Sequence, residues 1–392
     1  DNNIYVNGFL RNAQSDIKTE LLDFILGENI NDLKKIDFYS ENEFSFNIDK
    51  KYKIKDLLIN SKIKLNELDY IINVKNLKKY LPNFKNKITL KNNLINLSFK
   101  NNQMNLSGEG FFEINDTKDK LEYKLIKKIN DEFLFDLKII LEQNPLLISF
   151  LKYEKKNKVK SLLEIKALYK KENIRFNQIL LKEKKNEFLI EGLTLNEKLK
   201  IDQIDKIKLN FLNKEKTSNI IELERKKKNY YIKGKIFDAD TLLYQMLEGN
   251  DDDGFSKLFY DLNSTLKINV DKVYLDKKSY LNNVKAKIIF RKSELDNLNL
   301  VSKFSDNKEL KLTINTNKNN EKITTLFSGN AKPLVKRYKF INGFEEGVLD
   351  FYSIKKNKSS NSKLKIYNFK LKEVPALTKI LTLASLQGIA DL

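Results

Sequence analysis

Cysteine and histidine are both absent from the 392 residues. Without cysteine there is no disulfide framework and no thiolate chemistry. An oxidising compartment permits disulfides without requiring them, so this absence selects no compartment. Without histidine, the commonest general base and the commonest metal ligand are missing together. Arginine is scarce, with Arg11, Arg175, Arg225, Arg291 and Arg337 the whole complement. No run of about eighteen apolar residues occurs, so no segment reads as a membrane-spanning helix. The most apolar stretch, residues 137–151, is interrupted by Glu142, Asn144 and Pro145 and reads as two short elements.

These absences leave little for catalysis. No phosphate-binding loop, Gly-x-Ser-x-Gly or zinc spacing is present, so the chain is not read as an enzyme and no cofactor is expected. The tightest carboxylate cluster is Asp251-Asp252-Asp253-Gly254. Aligning Gly254 with the glycine of a calcium loop puts Gly249 at the first ligand position and Tyr260 at the last, where an acid is required. The cluster therefore reads as a solvated loop, and no metal site is expected. Asn96-Leu-Ser98 and Asn263-Ser-Thr265 match glycosylation sequons but lie in strand-like segments.

What is abundant is lysine. The net charge of +20 raises the question of nucleic acid, but base readers favour the bidentate arginine fork over lysine. The lysines are also interleaved with Glu and Asp along the whole chain. Segment Glu224-Arg-Lys-Lys-Lys-Asn-Tyr-Tyr231 has a basic and aromatic composition suited to a nucleic-acid contact, yet it reads better as a hairpin turn entering a strand over 230–237. No nucleic-acid partner is expected. Spread lysines suit weak attraction to anionic lipid headgroups.

Hydrophobic residues make up 41% of the chain, enough to reject global disorder, and they alternate. Phe44-Ser-Phe46-Asn-Ile48, Ile95-Asn-Leu97-Ser-Phe99, Leu266-Lys-Ile268-Asn-Val270, Leu310-Lys-Leu312-Thr-Ile314 and Leu349-Asp-Phe351 all repeat every second residue. That pattern predicts a half-buried antiparallel sheet, dry on one side and wet on the other. Polar turns recur at Asn101-Asn102, Asn115-Asp116, 184–186, 213–216, 226–229, 317–320 and 355–361. At about ten residues per strand and turn, roughly 30 to 40 strands are expected in a mainly β chain. Helices are expected only at 16–27, 240–247, 331–338 and near the C-terminus.

The C-terminal stretch changes character. Leu364 and Ile366 share one face of an extended segment and Phe369 and Leu371 the other, a phase slip near Asn368 of the kind a bulge produces. Pro375 fits a first helical turn, Leu377, Ile380, Leu381 and Ala384 follow at helical spacing, and Gly388 offers a stop.

This segment resembles the AsmA-like C-terminal region of YhdP-type proteins, on Val374, Pro375, Ala376, Leu377, Leu381, Ala384, Ser385, Leu386 and Gly388. Gly329-Asn-Ala331, Tyr338, Gly343 and Gly347-Val-Leu349 extend the likeness upstream, as does Lys233-Gly-Lys-Ile-Phe-Asp238-Ala239 followed by Leu242-Leu243. Asn342-Gly343 stands where the family often has paired glycines. The chain begins with Asp1 and stops at Leu392, where relatives continue with more strands, so a fragment of a longer protein is expected.

The resemblance divides the chain into a β-rich groove-forming region, 1–232, and an AsmA-like region, 233–392. It implies an elongated, twisted antiparallel sheet forming a taco-like hydrophobic groove, with a few short helices. Phe44, Phe46, Ile48, Leu266, Ile268, Val270, Leu310, Leu312, Ile314, Leu349, Phe351, Leu364 and Ile366 would line the groove. The helix carrying Pro375, Leu377, Ile380, Leu381 and Ala384 would stand at its end. Headgroups would ride at a wet lip near Lys267, Lys311 and Lys365. The implied role is carriage of phospholipid through the periplasm toward the outer membrane, by a protein anchored in the bacterial inner membrane. Periplasmic or outer-membrane proteins are the implied further partners. Alternation by itself also suits a structural or adhesive all-β envelope protein with a closed core, and an outer-membrane barrel, although the scattered Phe and Tyr do not form the girdles of a barrel.

Overall fold

The computed structural model describes residues 4–16, 32–72, 77–82, 84–248, 264–291, 294–337, 343–357 and 359–371. The protein is mainly β, with twenty-three strands and three short α-helices among the described residues. Among the described residues several strands are longer than the spacing predicts, up to 16 and 18 residues. The expected helices at 16–27 and around 375–386, Tyr338, Asn342 and the Asp251–Asp253 cluster lie outside the described residues. The chain forms two compact units, Asp1–Leu199 and Lys200–Leu392. The division at 232/233, drawn on resemblance, falls within a strand.

The first unit is an antiparallel meander. Its strands are β1 (Ile4–Asp16), β2 (Leu33–Ile48), β3 (Ile54–Ile71), β4 (Lys87–Lys100), β5 (Gln103–Ile114), β6 (Thr117–Lys127), β7 (Phe133–Leu141), β8 (Leu146–Ile148), β9 (Tyr153–Lys155), β10 (Ser161–Lys170), β11 (Asn173–Glu183) and β12 (Asn186–Leu195). Each pairs with its neighbour in sequence, except that β7 pairs with β10 and β8–β9 form a separate small hairpin. The tight hairpins form where the sequence predicts them. Asn101 and Asn102, and Asn115 and Asp116, all take positive φ between 49° and 65°, which a two-residue type I′ turn requires. Bulges bend the long strands, with register shifts at Asn12/Ser15, Asp37/Phe38, Ser45/Asn47 and Lys91/Leu94, and each adds local twist.

The second unit contains β13 (Ile201–Gln203), β14 (Lys206–Leu212), β15 (Ser218–Lys226), β16 (Asn229–Asp238), β17 (Thr265–Tyr274), β18 (Tyr280–Arg291), β19 (Glu294–Phe304), β20 (Glu309–Thr316), β21 (Lys322–Ser328), β22 (Phe344–Lys356) and β23 (Ser359–Leu371). The basic segment at 224–231 forms the hairpin between β15 and β16, the reading preferred over a nucleic-acid contact. β16 and β17 depart from the expected antiparallel pattern: they run parallel, so the sheet is mixed. The connection between them includes a helix, and such a crossover returns the chain to the end from which it started.

Three helices accompany the strands: α1 (Leu77–Tyr80), α2 (Asp240–Glu248) and α3 (Lys332–Arg337). The last two lie where the sequence places them, and α1 was not foreseen. The Asp238 carboxylate accepts the Asp240 N–H at 3.1 Å, just ahead of α2. In the first unit Phe84 packs with Phe112, Ile114, Leu121 and Leu141, and Leu77 and Leu81 join this core. In the second, Ala331 and Val335 at α3 are buried with Leu281, Phe304, Leu310, Leu326, Phe344, Leu349 and Phe351. Among the described residues the ladders do not close, since β1 pairs only with β2 and β23 only with β22.

Candidate functional site

Successive residues of a strand point to opposite faces, so ladder register decides which side chains share a face. In the first unit the register joins Ile63, Ile95, Gly108, Tyr123, Leu137, Ile165, Ile179 and Ile190 into one row across eight strands. Beside it runs Leu97–Leu106–Leu125–Phe135–Ala167–Phe176–Leu193. At the slip at Lys91/Leu94 the same face carries a buried Asn93, the ladder partner of Leu65, and it is apolar again on either side. Leu90 is partnered by Phe112 on one side of it, and Ile95, Leu97 and Phe99 follow on the other. Asn92, at φ 50°, sits in this irregularity. Most of these residues are half-buried, and Phe135 is 40% exposed.

In the second unit the corresponding row is Ile232–Ile268–Ala286–Leu300–Leu312–Leu326–Phe351–Leu364, again across eight strands. Leu266 and Ile314 lie in a second row, through Ile288 and Leu298. Leu349 pairs with Ile366 in a third, which reaches Leu310 through Ser328. Val270 is opposite Val284. All ten lining residues expected in this unit therefore share one face. They differ in cover: Leu310, Leu349 and Phe351 are buried in the cluster that includes α3, while Leu312, Leu364 and Ile366 pack against it. Ile268 is half-buried.

Phe44, Phe46 and Ile48 lie on β2 in the first unit, opposite Gly8, Val6 and Ile4. The Phe44 and Phe46 rings stack with centroids 6.2 Å apart. A Cβ on Gly8 would come within 2.4 Å of the Phe44 ring, so the ring lies over bare backbone there. The groove-end residues Pro375, Leu377, Ile380, Leu381 and Ala384 lie outside the described residues. Lys267, Lys311 and Lys365 stand on the opposite, wet face of their strands and not on a lip of the dry one, because each alternates with the apolar residues flanking it.

Burial shapes the polar groups on the dry face. The Tyr123 phenol is pushed up to about 12 by desolvation, and desolvation raises Tyr230 as well. Both stay neutral across the physiological range. The dry-face residues of β10–β12 were not foreseen as lining. Leu162, Leu168 and Leu180 put apolar side chains on the other face too, which blurs the alternation there. The phase slip at Asn368 is present and is shared: Asn368 at φ 55° and Gly347 at φ 83° both drop out of the register.

Among the described residues no group of three or more acidic side chains could hold a metal ion, and no helix is long and apolar enough to cross a membrane. Compared with known proteins, the chain matches no family model, no curated protein and no solved structure.

Proposed function

We propose that the chain is a bridge-like lipid-transport protein of the AsmA-like, YhdP-type group, binding phospholipid acyl chains along the dry face of its sheet. The observation that carries this reading is the row from Ile63 to Ile190, apolar across eight strands and half-buried along its length. A sealed core would bury such residues fully, whereas a trough awaiting a guest leaves them partly open. Burying each CH₂ contributes about 0.8 kcal/mol, so a ~16-carbon chain gains on the order of 12 kcal/mol. An evenly apolar lining varies that gain little from place to place, so a lipid moves along it without a high barrier. Coiled lengthwise, the sheet would form a taco-like groove.

In this reading the complete protein is anchored in the bacterial inner membrane and extends through the periplasm. It passes phospholipid toward the outer membrane and supports outer-membrane biogenesis. No base, nucleophile or metal is needed for such transport. The competing reading is a structural or adhesive envelope protein with a closed core, favoured by the cover that α3 lays over the dry face of the second unit. Gentle purification followed by mass spectrometry separates the two: copurified phospholipid is expected, and a lipid-free protein would sink the carrier reading.

A further inference from the structure

We propose that the wet face of β17–β20 holds a binding site for a phosphorylated polyhydroxyl group, such as a phosphosugar or an inositol phosphate. The proposal concerns the face opposite the apolar rows and does not depend on what those rows bind.

Lys267 and Lys287 are direct cross-strand partners, and Lys285 is opposite Asn269 in the next wet-face pair. Like charges placed directly opposite each other destabilise a ladder. Several strand lysines elsewhere have a carboxylate partner: Lys138 meets Glu122 at 3.0 Å, Lys91 meets Glu113 at 3.1 Å and Lys206 meets Glu222 at 3.1 Å. Among the described residues, Lys267, Lys285 and Lys287 have no carboxylate at ion-pair distance, and the Lys267 ammonium instead sits over the Tyr231 ring, 5.3 Å from its centroid.

These three lysines line a shallow depression together with Asn297, Asn299 and Thr313, and none of the described residues that line it is a carboxylate. The depression on the wet face of the first unit is different, mixing Glu109, Glu122 and Asp136 with Lys124 and Lys138. Asn297 donates its amide to Asn315, and the Thr313 and Thr325 hydroxyls share a hydrogen bond. Ammonium groups suit phosphate as point charges, and side-chain amides and hydroxyls both give and take hydrogen bonds, as a polyol requires. Four adjacent strands span roughly 15 Å, the scale of one headgroup and too short for a stripe that tracks a polymer backbone.

The test is calorimetric titration of the full chain with inositol trisphosphate and with glucose bisphosphate. Vesicles of phosphatidylcholine, with and without phosphatidylinositol bisphosphate, form the second arm. Binding of a soluble probe is expected, and the Lys267→Gln/Lys287→Gln variant should weaken it by roughly tenfold or more. That variant should also melt at a higher temperature, because a repulsion is removed, and Lys285→Gln gives an independent check. Vesicle binding in addition to soluble binding assigns the group to a lipid source, and soluble binding alone to a free metabolite. Three results would overturn the proposal: no binding of either soluble probe, equal binding of tripolyphosphate, or stronger binding of single-stranded DNA lost in the same variant.

Discussion

The ring of Tyr123 lies across Gly108, its direct partner on the neighbouring strand; a Cβ on Gly108 would come within 2.4 Å of the ring. An aromatic side chain here fills the space that the missing side chain leaves, as in the rescue of strand glycines by aromatic partners. Gly108→Ala should force the ring aside and destabilise the first unit by about 1–3 kcal/mol, read as a lower denaturant midpoint.

Tyr123 also makes the fold sensitive to alkali. Its folded-state value of about 12 exceeds the ordinary 10.0. The unfolded chain therefore ionises first, and the stability this group contributes is intact below pH 10 and lost as pH rises to 12. Tyr123→Phe should remove that share of the alkaline loss. An unchanged difference between pH 9 and pH 12 unfolding curves would show that the phenol is not desolvated.

A charge on the dry face tests the carrier reading, and the position matters. Leu312 and Ile366 pack against a buried cluster, so a charge there threatens the fold itself. Ile268 and Ile165 are half-buried and give the cleaner experiment. Ile165→Asp and Ile268→Asp should keep the far-ultraviolet circular dichroism of the parent while copurified phospholipid falls several-fold. Loss of the fold at both positions would favour a closed core.

Arg337 ties α3 to α2. Its guanidinium donates to the carbonyls of Leu275 and Asp240, each at 2.7 Å, and to the Asp240 carboxylate at 3.3 Å. Arg337→Ala removes these three hydrogen bonds and should cost about 1–3 kcal/mol. Hydrogen exchange should quicken in α3 and at the start of α2 before it does in β18–β20.

Asp119 plays a similar part in the first unit. Its buried carboxylate accepts the N–H groups of Glu142, Gln143 and Asn144 and the Asn144 side-chain amide, at 2.7–2.9 Å. Nearby, the fully buried Lys155 donates to the carbonyls of Glu142 and Asn144. Asp119→Ala should free the β8–β9 excursion, measured as faster proteolysis within residues 142–160 with the β4–β6 ladder still protected.

Much of this arrangement was legible beforehand because its causes are local. Asn101-Asn102 and Asn115-Asp116 announce turns, since asparagine and aspartate tolerate positive φ. Asp238 ahead of Leu242 and Leu243 announces α2. Asp119 and Lys155 gave no such signal: nothing at positions 119 or 155 tells that a carboxylate and an ammonium from separate strands will gather the same stretch of backbone. The parallel pairing of β16 with β17 was equally hidden, because the alternation in Leu266, Ile268 and Val270 is the same whichever way the neighbouring strand runs.

The sequence by itself determined that this protein has a dry face and a wet face, because a two-residue repeat sends alternate side chains to opposite sides of any strand. Only the tertiary structure decided which residues stand side by side on each. Register and bulges are set between strands, and a slip such as that at Lys91/Leu94 changes which parity points inward. That is why Ile63 and Ile190, far apart in the chain, belong to one apolar row of the first unit, and why Lys267 faces Lys287 on the wet face of the second.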